Sequence, residues 1–98
     1  MKKCPVVKFR NDYFYNYLLK SEKSKSLYTG YTGDLRRRLK EHNQGLNKST
    51  KPYIPWKLVY YEACLDIEDS KRREKYLKTT QGKRLLKRRL KDYLYKNK

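Results

Sequence analysis

Glu74 stands among Lys71, Arg72, Arg73 and Lys75, yet steps of three and four residues put it on one helical stripe with Ile67, Ser70 and Leu77. On a buried stripe an unpaired carboxylate costs on the order of several kcal/mol. A bound divalent cation would remove that cost, and an ion pair with a neighbouring cation is the ordinary alternative. Upstream lie Tyr15, Tyr17, Tyr28, Arg38 and His42, the only histidine of the chain. Taken singly, each has an everyday reading: tyrosines with wet hydroxyls on strands, one of three consecutive solvated arginines, and a histidine whose charge suits a helix C-terminus.

The elements that must position these groups follow from pattern. Tyr13 to Lys20 reads as a first strand with Tyr13, Tyr15, Tyr17 and Leu19 on one face, and Leu27 to Tyr31 as a second, joined by the polar Ser21–Ser26 tip into a hairpin. On the second strand Tyr28 and Gly30 share a face. Thr32-Gly33-Asp34 offers a cap for a first helix over Leu35–His42, whose stripe is Leu35, Leu39 and His42, flanked by Arg38. Asn43 to Pro55 reads as a long loop, and Trp56 to Ala63 as the third strand. Asp66 caps a second helix over Ile67–Lys78; Gly82 breaks the pattern, and Lys83 to Tyr95 forms a third helix with Leu85, Leu86, Leu90 and Leu94 inward. The expected fold is α/β of the α+β type: a small three-stranded antiparallel sheet flanked by three helices, in the order β-β-α-β-α-α. One domain is expected, with its core at about 13–90 and tails at 1–12 and 96–98.

Composition narrows the partners. In 98 residues, 27 Lys plus Arg against 10 Asp plus Glu leave a net charge of +17, a potential that attracts polyanions, of which nucleic acid is the commonest. A solvated basic surface is the plain alternative. Cys4 and Cys64 are isolated and lack ligand spacing, so free thiols are expected rather than zinc or a disulfide. No apolar run reaches the ~20 residues of a membrane span and no signal-peptide core follows Met1, so a cytoplasmic protein is expected.

Tyr15-Asn16-Tyr17, then Tyr28-Thr29-Gly30, then Arg38, His42 and Glu74 in this order resemble the GIY-YIG nuclease superfamily, most closely its short stand-alone members related to the UvrC N-terminal domain. The likeness runs from about Tyr13 to Leu90 and rests on three blocks: Leu27–Asn43, Pro55–Glu62 and Arg72–Lys78. It implies that Tyr17 acts as general base or positions the attacking water, with Tyr28 beside the scissile phosphate. Arg38 would stabilise charge on that phosphate, and Glu74 would be the single protein ligand of one Mg²⁺ or Mn²⁺ ion. His42 matches a position that is histidine in some members and tyrosine in others. The first triplet departs from the family pattern: Asn16 lacks an apolar character and must find a partner or an exposed face. An asparagine seen in many members has no counterpart in Thr79–Lys83.

Phosphodiester hydrolysis needs an in-line nucleophile and neutralisation of charge on the phosphoryl and leaving oxygens, and an arginine with a metal supplies the second requirement. A phenol with an unperturbed pKa near ~10 is a poor base at neutral pH, so Tyr17 is expected to be lowered by Arg38, the metal or Lys20 and activity to rise with alkalinity. The cations expected to meet the nucleic-acid backbone are Lys20, Arg36, Arg37, Lys51, Lys71 and Arg72. This reading makes the chain a metal-dependent DNA endonuclease of low sequence specificity or structure-directed choice, in a setting such as DNA repair. A partner protein could supply target selection. The competing reading is a non-catalytic nucleic-acid-binding module using the same basic face, and a third is a scaffold that docks an acidic protein on Lys83–Lys91.

Overall fold

A computed structural model describes residues 13–97. Strand β1 (Phe14–Ser21) lies at the centre of an antiparallel sheet, with β2 (Leu27–Thr32) on one side and β3 (Trp56–Cys64) on the other. Helix α1 (Leu35–Asn43) follows β2, a single 3-10 turn occupies Lys51–Tyr53, and α2 (Ile67–Leu77), α3 (Thr80–Arg89) and α4 (Lys91–Lys96) follow β3. The α+β architecture expected from pattern is thus present, with the C-terminal helical segment divided in two. Cys4 and the expected 1–12 tail lie outside the described residues, as does Lys98.

Because β1 is central, both of its faces are buried. Tyr17 and Leu19 join Trp56 under α1, where Leu35 and Leu39 complete the packing; Leu18 faces the opposite way onto Leu77 of α2 and Leu86 of α3. The alternation of a pleated strand therefore aims neighbouring residues at two separate helical layers. Full burial of side chains such as Leu19 and Trp56 stabilises the fold by about 1.5–3 kcal/mol each. A register irregularity falls between Leu18 and Leu19 on the β3 side.

Asn16 meets the requirement set by its position. It is 2% exposed, donates from Nδ2 to the Ser70 carbonyl at 2.9 Å and accepts from Ser70 Oγ at 3.1 Å, a reciprocal pair that ties β1 to α2. Helix starts follow the capping residues: Asp34 accepts from Arg37 N, Asp66 from Glu68 N, and Thr79 Oγ1 from Gly82 N.

Three expectations are corrected here. Gly82 does not break the chain; it sits buried in the first turn of α3, where a Cβ would lie 2.1 Å from the Tyr76 carbonyl oxygen. A glycine needed for close backbone approach carries the same sequence signature as a breaker. The expected helix Lys83–Tyr95 is interrupted at Leu90, and α4 buries none of its residues, so little burial holds it on the axis of α3. Ile67, expected inward, is 37% exposed at the first residue of α2.

Among the described residues no helix is long and apolar enough to cross a membrane. Cys64 is a free thiol.

Candidate active site

Tyr17 enters the α1 layer from the central strand, opposite Gly30 in the β1–β2 ladder. A Cβ on residue 30 would sit 2.5 Å from the Tyr17 hydroxyl, so the last position of the Tyr28-Thr29-Gly30 triplet is glycine because the phenol occupies the space. Two turns of α1 bring the remaining groups to that hydroxyl. His42 Nε2 lies 3.0 Å from it, and Arg38 Nε donates to it at 3.3 Å. Tyr28, on the same face of β2, places its ring edge-on to His42 with centroids 5.1 Å apart.

His42 is 0% exposed, and burial, aided by the Arg38 cation, holds its pKa below the ordinary histidine value, so the ring is neutral at pH 7. Its Nδ1 lies 2.8 Å from Thr50 Oγ1. Arg38 divides its guanidinium between Tyr17 and a 3.1 Å ion pair with Glu41, and both contacts hold it charged.

The expectation that Tyr17 is lowered is overturned. Burial pushes the phenol up to about 12; the hydrogen bond from Arg38 opposes this, while the charge of Glu74 adds to the rise. Lys20 gives no help, because it lies away from the phenol, lining a groove with Lys57, Tyr93 and Lys96.

Glu74 approaches the same cluster from α2, across the β2 edge. It is half-buried and paired with Lys78 at 3.2 Å, and that lysine lies 5.6 Å from the centre of the Tyr28 ring. The ordinary ion-pair reading therefore accounts for part of the burial cost. The donor set still suits a hard cation: carboxylate oxygens engaged by one flexible lysine, beside an opening lined by Tyr31, Lys71 and Lys75. Among the described residues no group of three or more His, Cys, Asp or Glu side chains gathers to hold a metal. One carboxylate fits Mg²⁺, which keeps most of its waters and draws its other ligands from substrate phosphates.

The structure brings together Tyr17, Tyr28, Arg38, His42 and Glu74. Of the cations expected to meet nucleic acid, Lys71 and Arg72 flank Glu74, held only by exposed pairs with Glu68 and Asp69. Arg37 is exposed beside Glu41, Arg36 borders a separate groove with Tyr15, Leu39, Leu58 and Tyr61, and Lys51 opens the 3-10 turn. Thr50 was not among the candidates. A threonine in a loop rich in Ser, Thr and Asn has no periodicity to mark it, and only its distance to His42 singles it out.

The model of the GIY-YIG catalytic domain matches residues 13–90, and the chain belongs to that nuclease family. Among its relatives, a UPF0213 protein of Clostridium perfringens is 45% identical over 65 residues, which is 65% of this chain and 69% of that protein. A UPF0213 protein of Haloquadratum walsbyi is 44% identical over 61 residues, 61% of this chain and 66% of its own length. For one of Streptococcus agalactiae the figures are 44% over 54 residues, 54% and 61%. The matched segment thus spans roughly two thirds of these relatives. No solved structure matches the chain significantly.

Proposed function

We propose that this protein is a divalent-metal-dependent endonuclease that hydrolyses phosphodiester bonds of DNA, with little base specificity or with a choice directed by DNA structure. The observation that carries the reading is the Arg38–Tyr17–His42 chain of hydrogen bonds, buried at Tyr17 and His42 and part-exposed at Arg38, with Glu74 brought to it from a different layer. A nucleic-acid-binding surface needs cations and aromatics; it has no use for a carboxylate beside the phosphate, which repels it unless a metal intervenes.

With its pKa near 12, Tyr17 is not a free phenolate at neutral pH, so it works as a relay. As the water oxygen bonds to phosphorus and the bond to the leaving sugar oxygen breaks, the water proton passes to the Tyr17 oxygen. The phenolic proton moves in the same step to His42 Nε2, and the leaving oxygen takes a proton from solvent. Tyr17 stays neutral throughout and His42 becomes imidazolium, later releasing its proton. Arg38 orients the phenol and can turn from Glu41 toward a phosphoryl oxygen; Tyr28 lines the phosphate's side of the cluster. A divalent ion held on Glu74 would supply neutralisation of charge on the phosphoryl and leaving oxygens. Target choice by DNA structure or by a partner protein, and a role in DNA repair, belong to the same proposal.

The test is cleavage of supercoiled, linear, single-stranded and branched DNA with Mg²⁺ or Mn²⁺ and with chelator, beside Glu74→Ala purified identically. Metal-dependent cutting that falls at least about 100-fold in the variant, with DNA affinity in chelator retained, is the expected result. Tight binding without cutting of any substrate would replace this reading with the binding module. Equal cutting by both proteins would expose a contaminant.

A further inference from the structure

Thr50 sits 1% exposed beneath His42. The Tyr17 hydroxyl accepts from Arg38 Nε and has His42 Nε2, 3.0 Å away, as the acceptor for its own hydrogen, while the Asn47 carbonyl at 3.3 Å is placed to take the Thr50 hydroxyl hydrogen. Toward His42 Nδ1, 2.8 Å away, the oxygen is then an acceptor. The residue is also fixed through its backbone: its N–H donates to the Asn47 carbonyl at 3.2 Å, and the Trp56 indole Nε1 donates to its carbonyl at 2.9 Å. Trp56 is held in turn by a reciprocal pair with Asn43, at 2.6 and 3.0 Å. Among the described residues, every buried side-chain polar atom here has its partner, and neither His42 nor Thr50 is open to solvent that could offer another.

From this geometry we infer that Thr50 is a positioning residue that fixes the His42 tautomer: Nδ1 carries the hydrogen and donates to Thr50, leaving the Nε2 lone pair aimed at the Tyr17 hydroxyl. The opposite tautomer would turn Nε2 into a donor, so that the phenol received hydrogens from both His42 and Arg38 and had no acceptor for its own. The loop between α1 and β3 thus sets the direction in which a proton leaves Tyr17. This rests on the relay proposed above, but its first test does not, since a tautomer is read without substrate or metal.

His42 is the chain's only histidine, so its two ring nitrogens give an unambiguous pair of signals in a long-range ¹H–¹⁵N correlation spectrum of the metal-free protein. The expected pattern is protonated Nδ1 and unprotonated Nε2 at pH 7.5, retained in Thr50→Ser and mixed or inverted in Thr50→Val. On DNA, turnover should fall about 10- to 100-fold in Thr50→Val, the loss typical when an orienting hydrogen bond behind a functional histidine is removed, and return in Thr50→Ser. A wild-type ring protonated at Nε2 would overturn the inference whatever the variants do. So would a Thr50→Val protein with the wild-type tautomer. The expected spectrum in a protein that cuts no DNA would uphold the inference and sink the nuclease reading alone.

Discussion

Tyr17 and His42 are held in their uncharged forms by burial, and this makes stability depend on pH in a direction that can be worked out. The phenol is near 12 in the folded protein, against an ordinary tyrosine value of 10.0. Between those values the unfolded chain loses the proton and the folded one keeps it, so Tyr17 supports folding fully below pH 10 and loses that support as pH rises toward 12. The full effect is about 3 kcal/mol, from two units at about 1.4 kcal/mol each. Urea unfolding of wild type and Tyr17→Phe should show their stability difference shifting in favour of the variant by that order between pH 9.5 and 11.5; a constant difference would mean the phenol is not desolvated. For His42 the sign is reversed. Its folded pKa is depressed, so its support is present above the unfolded value near ~6.5 and fades as pH falls below it. The candidate site residues were legible in the sequence through the resemblance carried by three ordered blocks, since taken singly each has an everyday reading. Their protonation was not, because burial on a central strand between two helical layers is a property of the assembled sheet. The expected lowering of Tyr17 counted its cationic neighbour and omitted the larger desolvation.

At the scale of elements, the question is what holds α2 so that Glu74 reaches the β2 edge. Among the contacts that do so are the Asn16–Ser70 pair from β1, the bidentate Arg73–Glu62 ion pair to β3 at 2.8 and 2.9 Å, and the α2–α3 corner, where Gly82 lets the first turn of α3 lie directly on the backbone of Tyr76 and Leu77. A methyl at residue 82 would meet main-chain atoms that no side-chain rotation can move, and α3 would have to shift off the end of α2. We expect Gly82→Ala to destabilise the protein by roughly 1–3 kcal/mol, as overpacking does, against no more than ~0.5 kcal/mol for the exposed Gln81→Ala. Chemical denaturation measures both, and equal stabilities would show that the corner is not close-packed. The strands and the first two helices were legible within a few residues because alternation, capping residues and stripes agree. The C-terminal helices were not, because Leu86, Leu90 and Leu94 keep one stripe straight across the break at Leu90, and periodicity cannot see that α4 buries none of its residues.

At the scale of the whole molecule the net charge is +17, and the cations of the described residues fall in separate patches that are not equivalent. Lys71 and Arg72 stand beside Glu74, in exposed pairs with Glu68 and Asp69 that are worth no more than about 1 kcal/mol each and are easily exchanged for phosphate. Lys20 lies away from that patch, lining a groove with Lys57 of β3 and with Tyr93 and Lys96 of α4. Duplex DNA is a stiff rod over ~150 bp, so a short straight duplex seated in the Glu74 groove is expected to engage Lys71 and Arg72 rather than Lys20, whose groove shares no lining residue with it. Each phosphate contact contributes close to ~0.9 to the slope of log affinity against log salt, which turns this asymmetry into a count. With a 16-bp duplex in chelator, Lys71→Gln/Arg72→Gln should weaken binding and reduce the slope by about 1.8, while Lys20→Gln leaves it within about 0.3 of wild type. A slope that falls equally for both variants would mean that DNA is held by diffuse charge, and that nothing in the electrostatics directs the backbone toward the tyrosine–histidine cluster.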